Sequence, residues 1–189
     1  MKITELEIKG LKLLEPKYFE DNRGWFCETY SMRTMKEAGI DIVFVQDNHS
    51  LSKQKGIIRG IHFQNNPKPQ AKLVRCTRGR IMDYAVDLRK DSPTFKKWIS
   101  VELSEENRRQ LFIPAGFGHA FITLEDNCEV QYKTDELYYP EYDRSIKWND
   151  PEIGIDWGTD RPTISEKDNR APLLSESDVN FSAEDNPDE

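Results

Sequence analysis

Three polar side chains combine the chemistry of a base, a cation and an acid. His62 lies in the stretch IIRGIHFQ, Lys72 begins the stretch KLVRC, and Tyr132 ends the stretch CEVQY. An imidazole ionises near neutral pH and can remove a proton beside a carbonyl group. An ammonium group can stabilise the resulting enolate, and a phenol can return a proton. These residue types predict acid and base catalysis, provided that the fold brings them together.

A histidine that carries a proton usually has an orienting carboxylate beside it. The stretch SEKD offers Asp168 for this task, although the spacing to His62 does not show that the two side chains touch. His62 shares one strand face with Gly60 and Gln64, whereas the larger apolar residues lie on the opposite face. The His62 face therefore borders either solvent or a polar cavity, and a structural histidine remains an alternative.

Metal binding is another alternative for His62. Two motifs resemble those of the cupin superfamily of small jelly-roll β-barrels: G-x5-H over residues 56–62, closed by Gly79, and P-x-G-x-x-H over residues 114–119. Metal-binding cupins supply two histidines and a glutamate from the first motif and one histidine from the second. Here Gln64 replaces the second histidine, and no glutamate follows before Gly79. One histidine per motif does not form a tight site, so we expect no bound metal.

Short segments of alternating polarity predict a mainly β fold, a sandwich or barrel of antiparallel strands with few short helices. Lys72 has the parity of Val74 and Cys76, so it points into the barrel or lies at its mouth and reaches water. Tyr132 shares the inward parity of its own strand. The stretch KLVRCTRGRIMDYAVDLR predicts a hairpin that turns at residues 78–80. Its second strand would place an apolar face inward, opposite a polar one: Met82, Tyr84, Val86 and Leu88 against Asp83 and Asp87.

Length and composition limit the classes of protein. The chain has 189 residues, a mass of 22.1 kDa and a net charge of -7, which predict one domain and no nucleic-acid partner. The sequence has neither a long apolar run nor a signal peptide, and its three cysteines show no CxxC spacing, so we expect a cytoplasmic protein without a membrane partner. We expect a single domain over residues 1–174 and a frayed acidic tail over residues 175–189.

Nine stretches in order resemble the dTDP-4-dehydrorhamnose 3,5-epimerase family, over about residues 12–173. They are RGWFCE (23–28), FVQDNHS (44–50), IIRGIHFQ (57–64), QAKLVRCTRG (70–79), DLRKDSPTFKKW (87–98), IPAGFGHAF (113–121), YK (132–133), IKWNDPEIGIDW (146–157) and SEKD (165–168). The resemblance implies a cupin-type jelly roll. It also implies a homodimer in which the N-terminal strand joins the partner's sheet and one subunit contributes to the other's cleft.

The resemblance implies a reaction as well. The family inverts C3 and C5 of dTDP-4-dehydro-6-deoxy-D-glucose on either side of its C4 ketone, without cofactor or metal, in the pathway to dTDP-L-rhamnose. The expected catalytic residues are His62 as the base, Asp168 as its partner, Tyr132 as the acid and Lys72 at the enolate oxygen. The residues expected to bind the dTDP-sugar are Arg23, Glu28, Gln46, Asp47, Asn48, Arg59, Lys72, His119, Tyr138, Asp143 and Lys167.

The expected binding roles differ in chemistry. Arg23 and Arg59 suit the diphosphate because a guanidinium group binds phosphate oxygens in pairs. Tyr138 could stack on the thymine ring or be a packing aromatic. Asp143 stands where many members carry a glutamate, which leaves its role open. Three other functions remain: an epimerase of one carbon or a ketoisomerase for the same sugars, a metal-dependent cupin oxygenase, and a sugar-nucleotide binding module without turnover.

Overall fold

The computed structural model describes residues 1–183. Its strands are β1 (Lys2–Glu5), β2 (Lys12–Glu15), β3 (Tyr18–Asp21), β4 (Gly24–Cys27), β5 (Gln46–Ser52), β6 (Ile57–Gln64), β7 (Lys72–Arg78), β8 (Arg80–Asp87), β9 (Trp98–Ser104), β10 (Gln110–Ile113), β11 (Phe117–Thr123), β12 (Cys128–Thr134), β13 (Asp143–Ser145) and β14 (Thr163–Ile164). Two short α-helices, α1 (Met32–Glu37) and α2 (Glu166–Asn169), and one 3-10 helix, Leu174–Glu176, complete the elements. The mainly β fold predicted from the alternating segments is confirmed.

Two sheets form the barrel. The first has the order β1-β2-β10-β7-β12-β5, and the second has the order β13-β6-β11-β8-β9, with β14 parallel to β6. Strands β3 and β4 form a separate antiparallel hairpin. The interior core combines side chains from both sheets, among them Val74, Leu111 and Val130 from the first and Ile81, Ala85 and Phe121 from the second. The two sheets therefore pack face to face across a common core.

The predicted hairpin at residues 78–80 is wrong. Strand β7 pairs with β10 and β12, whereas β8 pairs with β9 and β11. The chain thus crosses from one sheet to the other at Gly79, whose φ of 70° lies in the left-handed region. A tight turn reverses the chain locally, but non-local hydrogen bonds decide which strands become neighbours.

The two faces of β8 are also reversed relative to the prediction. Tyr84 and Val86 pack in an outer cluster with Trp157 from the C-terminal part of the chain. Ile81 and Ala85 belong to the core between the sheets. Asp83 has their parity and is fully buried, so it lies inside the barrel. Because both faces of β8 are covered, the apolar face alone does not indicate which side is the barrel interior.

Strands β6 and β11 approach each other closely at Gly60, next to the histidines that each strand carries. A Cβ atom on Gly60 would lie 2.4 Å from the Cβ of Ala120, and the φ of Gly60 is +127°. Only glycine fits this backbone conformation and this contact. His62 and His119 are directly opposite each other in the same strand pair.

The C-terminal segment extends the fold beyond the boundary expected near Leu174. Val179 and Phe181 are 2% and 3% exposed and belong to the outer cluster, where the Phe181 ring packs edge-on against Phe63. Asn180 also exchanges hydrogen bonds with Asn66. Residues up to 183 are therefore packed rather than frayed. The rest of the expected tail, residues 184–189, lies outside the described residues.

The hairpin β3-β4 leaves large apolar side chains uncovered: Phe19, Trp25 and Phe26 are 55%, 57% and 71% exposed. Strand β1 forms the edge of the first sheet and pairs with β2 of its own chain. Such a group of exposed aromatic residues is typical of a protein interface. Within residues 1–183, no helix is both long enough and apolar enough to cross a membrane.

Candidate active site

A cleft of about 280 Å³ lies between the two sheets. Eight of the residues predicted for the site line it: Arg59, His62, Lys72, His119, Tyr132, Tyr138, Asp143 and Lys167. Four further residues complete the lining: Ser50, Phe63, Gln70 and Phe121. The cleft thus collects side chains from β5, β6, β7, β11, β12, β13 and α2, which are dispersed along more than 110 residues of sequence.

His62 and Asp168 form a hydrogen-bonded pair, with 2.6 Å between Nε2 and Oδ1. Helix α2 holds Asp168 in place because its N-cap residue, Ser165, accepts a hydrogen bond from the Asp168 amide at 3.0 Å. Burial favours a higher pKa for Asp168, but the contacts with His62 and Ser165 outweigh it and leave the pKa below its usual value. Because an ionised carboxylate only accepts hydrogen bonds, Nε2 of His62 carries the proton and Nδ1 is left as a base.

Lys72 is buried at the start of β7, with its ammonium group turned towards the second sheet. It is 7% exposed, and its Nζ lies 3.4 Å from the backbone oxygen of His62. Burial lowers the pKa of Lys72 to about 8, although the carboxylates of Asp143 and Asp83 favour the charged form. A desolvated ammonium group at this position can stabilise a negative charge that develops on a bound molecule.

Tyr132 faces His62 from the opposite sheet, since β12 belongs to the first sheet and β6 to the second. Burial and the charge of Asp143 raise the pKa of the Tyr132 phenol, and the Arg59 guanidinium opposes them. The phenol therefore keeps its proton at neutral pH and can act as an acid. Asn48 is paired with Tyr132 in the strand register and shares its inward face.

Arg59 is held along strand β5. Its Nε donates to the Ser52 hydroxyl at 3.0 Å and its Nη2 donates to the Leu51 backbone oxygen at 3.2 Å. These contacts use only part of the guanidinium group, which has five N–H donors. Arg59 therefore provides a fixed positive charge in the cleft wall.

Three residues form a hydrogen-bonded group at the mouth of the cleft. Asp143 accepts hydrogen bonds through Oδ2 from the Tyr138 hydroxyl at 3.2 Å and from Lys167 Nζ at 2.5 Å. The Tyr138 ring is 54% exposed. Gln46 supports this group because its side-chain oxygen accepts a hydrogen bond from the Tyr138 amide at 3.1 Å and its side-chain nitrogen donates to Asn48. An exposed ring at the rim is available for stacking.

Five of the eleven residues expected to bind the sugar nucleotide are not part of the cleft lining. Gln46 and Asn48 are neighbours of the lining residues Tyr138 and Tyr132, whereas the other three have their partners elsewhere. Arg23 lies in the turn of the hairpin β3-β4, where it pairs with Asp21 at 2.6 Å and its side chain is 85% exposed. Glu28 follows the same hairpin and accepts a hydrogen bond from the Thr34 hydroxyl at 3.5 Å. Asp47 points to the other face of its strand, where Lys133 donates to it at 2.8 Å. A single chain does not bring these three residues to His62.

His119 is 7% exposed and hydrogen-bonded to Asp83, with 2.7 Å between Nε2 and Oδ1. His119 was predicted from the sequence as a site residue, whereas Asp83 was predicted to lie on the polar outer face of a hairpin and was not recognised as its partner. The fact that could have indicated Asp83 is its parity with Ile81 and Ala85. Cys76 and Tyr132 likewise carry a polar group on a strand face that otherwise points apolar side chains into the core.

Gln64, at the position of the second metal ligand of cupins, has a structural role. Its side-chain nitrogen donates to the backbone oxygens of Lys68 and Leu137, and its side-chain oxygen accepts from the Tyr139 amide. Across residues 1–183, no three side chains of histidine, cysteine, aspartate or glutamate are grouped as metal ligands would be. The polar groups of the cleft are a base, an ammonium group, a phenol and a guanidinium group, which suit proton transfer beside an anion.

Comparisons with known proteins identify close relatives. The family model described as dTDP-4-dehydrorhamnose 3,5-epimerase matches residues 5–176. A dTDP-4-dehydrorhamnose 3,5-epimerase of Methanothermobacter thermautotrophicus is 49% identical over 181 residues, which cover 94% of this chain and 97% of the relative.

Solved structures agree with these relatives. The dTDP-4-dehydrorhamnose 3,5-epimerase from Bacillus anthracis, with TDP and PPi bound, is 48% identical and superposes with a TM-score of 0.89 over 91% of this chain and 98% of that one. The dTDP-6-deoxy-D-glucose-3,5-epimerase from Legionella pneumophila, in complex with dTDP-4-keto-L-rhamnose, is 41% identical, with a TM-score of 0.90 over 96% and 99% of the two chains.

Proposed function

Because the chain belongs to the dTDP-4-dehydrorhamnose 3,5-epimerase family, we propose that its cleft binds dTDP-4-dehydro-6-deoxy-D-glucose and inverts C3 and C5 of the sugar. The protein is an isomerase, and its product is dTDP-4-dehydro-6-deoxy-L-mannose in the route to dTDP-L-rhamnose. One observation carries the assignment of roles: the pair of His62 and Asp168 faces Lys72 and Tyr132 within one cleft. These four groups supply every proton step of the reaction.

The first step is proton removal beside the C4 ketone. His62 uses the ring nitrogen that is not bonded to Asp168 to take the proton from C3 or C5, and Asp168 stabilises the imidazolium that forms. The electron pair of the broken C–H bond moves onto the C4 oxygen. The Lys72 ammonium group stabilises this enolate oxygen, and its charge interacts strongly because the side chain is buried away from water.

The second step is proton return from the other side of the enolate. Tyr132 and His62 extend from opposite sheets, so a flat enolate between them loses a proton to one face and gains a proton at the other. Two proton carriers on opposite faces of the enolate invert the configuration of the carbon, whereas a single carrier on one face would restore the original configuration. His62 then releases its proton to solvent, and the Tyr132 phenolate regains one. Each inversion therefore brings one solvent hydrogen into the product.

Arg59 and Tyr138 suit the nucleotide part of the substrate. The Arg59 guanidinium is fixed beside the cleft and can bind the diphosphate through N–H donors that its contacts with β5 leave free. Tyr138 has a half-exposed ring at the cleft mouth, where the thymine base can stack on it. Lys167 and Asp143 lie beside that ring and offer a donor and an acceptor to the base or its sugar.

Deuterium exchange tests the function directly. The protein is incubated with the 4-keto sugar nucleotide in D₂O with EDTA, and the hydrogens at C3 and C5 are followed by NMR. We expect exchange at both carbons. Exchange at one carbon alone would assign a single-carbon epimerase, and no exchange at either carbon would refute the proposal. Activity that is lost with EDTA and restored by Fe(II) would assign a metal-dependent enzyme instead.

Two histidine variants test the assignment of the base. His62→Ala should abolish exchange at both carbons while dTDP binding persists, because binding depends on the arginines and the base pocket. His49→Ala is the matched control, since His49 is exposed on the outer face of the sheet and pairs there with Glu129. Exchange by His62→Ala at the rate of His49→Ala would contradict the assignment.

We further propose that the protein is a homodimer in which each hairpin β3-β4 completes the partner's cleft. The exposed aromatic residues of the hairpin support an interface, since about half or more of each ring is uncovered in a single chain. Arg23 and Glu28 lie on or beside this hairpin, away from the cleft of their own chain. The edge strand β1 leaves one side free to pair with another chain.

Mixed dimers test the shared site. Arg23→Ala and His62→Ala chains, each inactive alone, are unfolded and refolded together in equal amounts. A mixed dimer then has one intact cleft, with His62 from one chain and Arg23 from the other. We expect recovery of about a quarter of the wild-type activity, as random pairing into symmetric dimers predicts. No recovery would show that Arg23 acts in its own chain, and an Arg23→Ala chain that is fully active alone would show that Arg23 has no part in the reaction.

We place the reaction in the cytoplasm. All three cysteines are free, and Cys76 and Cys128 are buried in the core, which suits a reducing compartment. The net charge of -7 suits a protein whose partners are a dTDP-sugar and a second copy of itself rather than nucleic acid.

A further inference from the structure

Asp83 is a buried carboxylate that the mechanism above does not use. It is fully buried on the inward face of β8, between Ile81 and Ala85. Its Oδ1 lies 2.7 Å from His119 Nε2, whereas its Oδ2 is buried without a hydrogen-bond partner. Burying a carboxylate is costly unless hydrogen bonds or a cation compensate for the lost hydration. With only one of its two oxygens hydrogen-bonded, Asp83 is not explained by a contribution to stability.

Asp87, on the same strand, shows what a structural carboxylate looks like in this fold. It is also fully buried, but it accepts hydrogen bonds from Arg89, Ser92 and Thr94. Both of its oxygens are satisfied, and its counter-charge is adjacent in sequence. Asp83 has no such arginine. Burial raises the pKa of Asp83, and His119 and then Lys72 of the catalytic cleft oppose this increase by favouring the charged carboxylate.

The groups around Asp83 belong to both sheets. Those that interact with Asp83 are His119 on β11 and Lys72 and Cys76 on β7, whereas His62, Tyr132 and Asp143 line the cleft together with Lys72 and His119. Lys72 is the cation among them. Asp143 interacts with Lys72 from the cleft mouth, and Asp83 interacts with it from the barrel interior. The ammonium group at the enolate site is therefore balanced by carboxylates on two sides.

We propose that Asp83 is a positioning residue for the epimerisation: its charge keeps Lys72 in the ammonium form, and its hydrogen bond holds His119 in the tautomer with the proton on Nε2. The inference rests on the proposed function, since it assigns Lys72 to the enolate oxygen. His119 and His62 are opposite each other in adjacent strands. The protein thus has two neighbouring histidine and carboxylate pairs, of which one transfers protons and the other sets the charge of the site.

Two effects change the pKa of Lys72 in opposite directions. Burial lowers the pKa of Lys72 to about 8, and the Asp83 and Asp143 carboxylates act against this decrease. Loss of the Asp83 charge lowers the pKa of Lys72 further, by about one unit for an opposite charge at short range. The fraction of Lys72 in the ammonium form then falls about twofold at pH 7 and about fivefold at pH 8. The loss of activity should therefore grow with pH.

The test compares Asp83→Asn with Asp87→Asn. Asparagine preserves the shape of Asp83 and can still accept a hydrogen bond from His119, but it carries no charge. We expect the alkaline limb of the kcat/KM profile of Asp83→Asn to move about one pH unit lower, while its thermal stability stays equal or increases because a buried charge is removed. Asp87→Asn should show the reverse: lower stability, because the buried Arg89 loses the charge of its carboxylate partner, and an unchanged alkaline limb.

A second measurement needs no substrate. The ¹⁵N chemical shifts of the imidazole nitrogens report which one carries the proton. We expect the Nε2–H tautomer of His119 in the wild-type protein and a mixture of tautomers in Asp83→Asn. An Nδ1–H tautomer in the wild type would mean that Asp83 is protonated, and it would overturn the inference. So would an alkaline limb that coincides in Asp83→Asn and the wild type. Deuterium exchange by the wild-type protein establishes the proposed function independently of either result.

Discussion

Replacing Asp168 with asparagine removes the charge beside the proposed base but keeps the size of the side chain. Asp168 is 3% exposed, and its Oδ1 lies 2.6 Å from His62 Nε2, so no water shields the pair. When His62 takes a proton from the sugar, an imidazolium forms next to this carboxylate. The variant lacks the counter-charge at the moment at which the positive charge develops.

The size of the effect follows from this geometry. At that N–O separation the centres of the two charges are about 4 Å apart, and at an effective dielectric constant of about 20 their attraction is about 4 kcal/mol. This loss in the transition state corresponds to about a 10³-fold lower kcat/KM. The asparagine amide can also donate to Nε2 and hold His62 in the wrong tautomer, which adds to the loss.

The assay is the initial rate of deuterium incorporation at C3 and C5, followed by NMR and normalised to folded protein by thermal unfolding. Asp150→Asn is the matched control because Asp150 is another buried carboxylate, 2% exposed, that binds only backbone amides, among them that of Leu174 at 2.7 Å. It should lower stability without changing the rate per folded molecule. An Asp168→Asn rate within tenfold of the wild type would refute the role of the pair.

Three further predictions concern pH and packing. The pKa of Lys72 is about 8, and the reaction requires the ammonium form, so kcat/KM should fall tenfold per pH unit above about pH 8. A flat pH profile of kcat/KM up to pH 9.5 would contradict this. Gly60→Ala should lower the free energy of unfolding in urea by about 1–3 kcal/mol more than Gly24→Ala does. Both glycines have φ near +127°, but only at Gly60 would the new Cβ atom contact Ala120. Equal urea midpoints would show that β6 and β11 can separate freely. Phe181→Ala should lower the free energy of unfolding by about 3–5 kcal/mol, because the ring is 3% exposed; no change would mean that the C-terminal segment is not part of the folded core.

The strand faces were predictable where one face of a strand is buried and the other is polar. Lys72 points inward with Val74, and Tyr132 points inward with Val130, as their parity predicts. The period of two is a local property of the extended backbone, so it needs no knowledge of the neighbouring strands. On β8 the same reasoning failed because both faces are covered, one by the opposite sheet and one by the C-terminal segment.

The sequence predicted which residues belong to the site, but it predicted only in part which of their side chains lie together. The family resemblance identified the residues, and eight of them line one cleft. Arg23 and Glu28 lie away from this cleft, since Arg23 is in the turn of the hairpin β3-β4 and Glu28 comes directly after it. The parity of Asp83 with Ile81 and Ala85 could indicate only that it points inward, because its role depends on His119, which reaches it from the adjacent strand.

The sequence by itself determined the chemistry and the local conformation: a base, an ammonium group and a phenol, each on a strand whose alternation sets its inward direction. The tertiary structure decided which of these groups meet. His62 and Asp168 are 106 residues apart and touch only because α2 packs beside β6. The crossing at Gly79 places Lys72 and Asp83 in opposite sheets that face the same interior. Contacts between distant residues depend on the packing of the whole barrel, which no local pattern specifies.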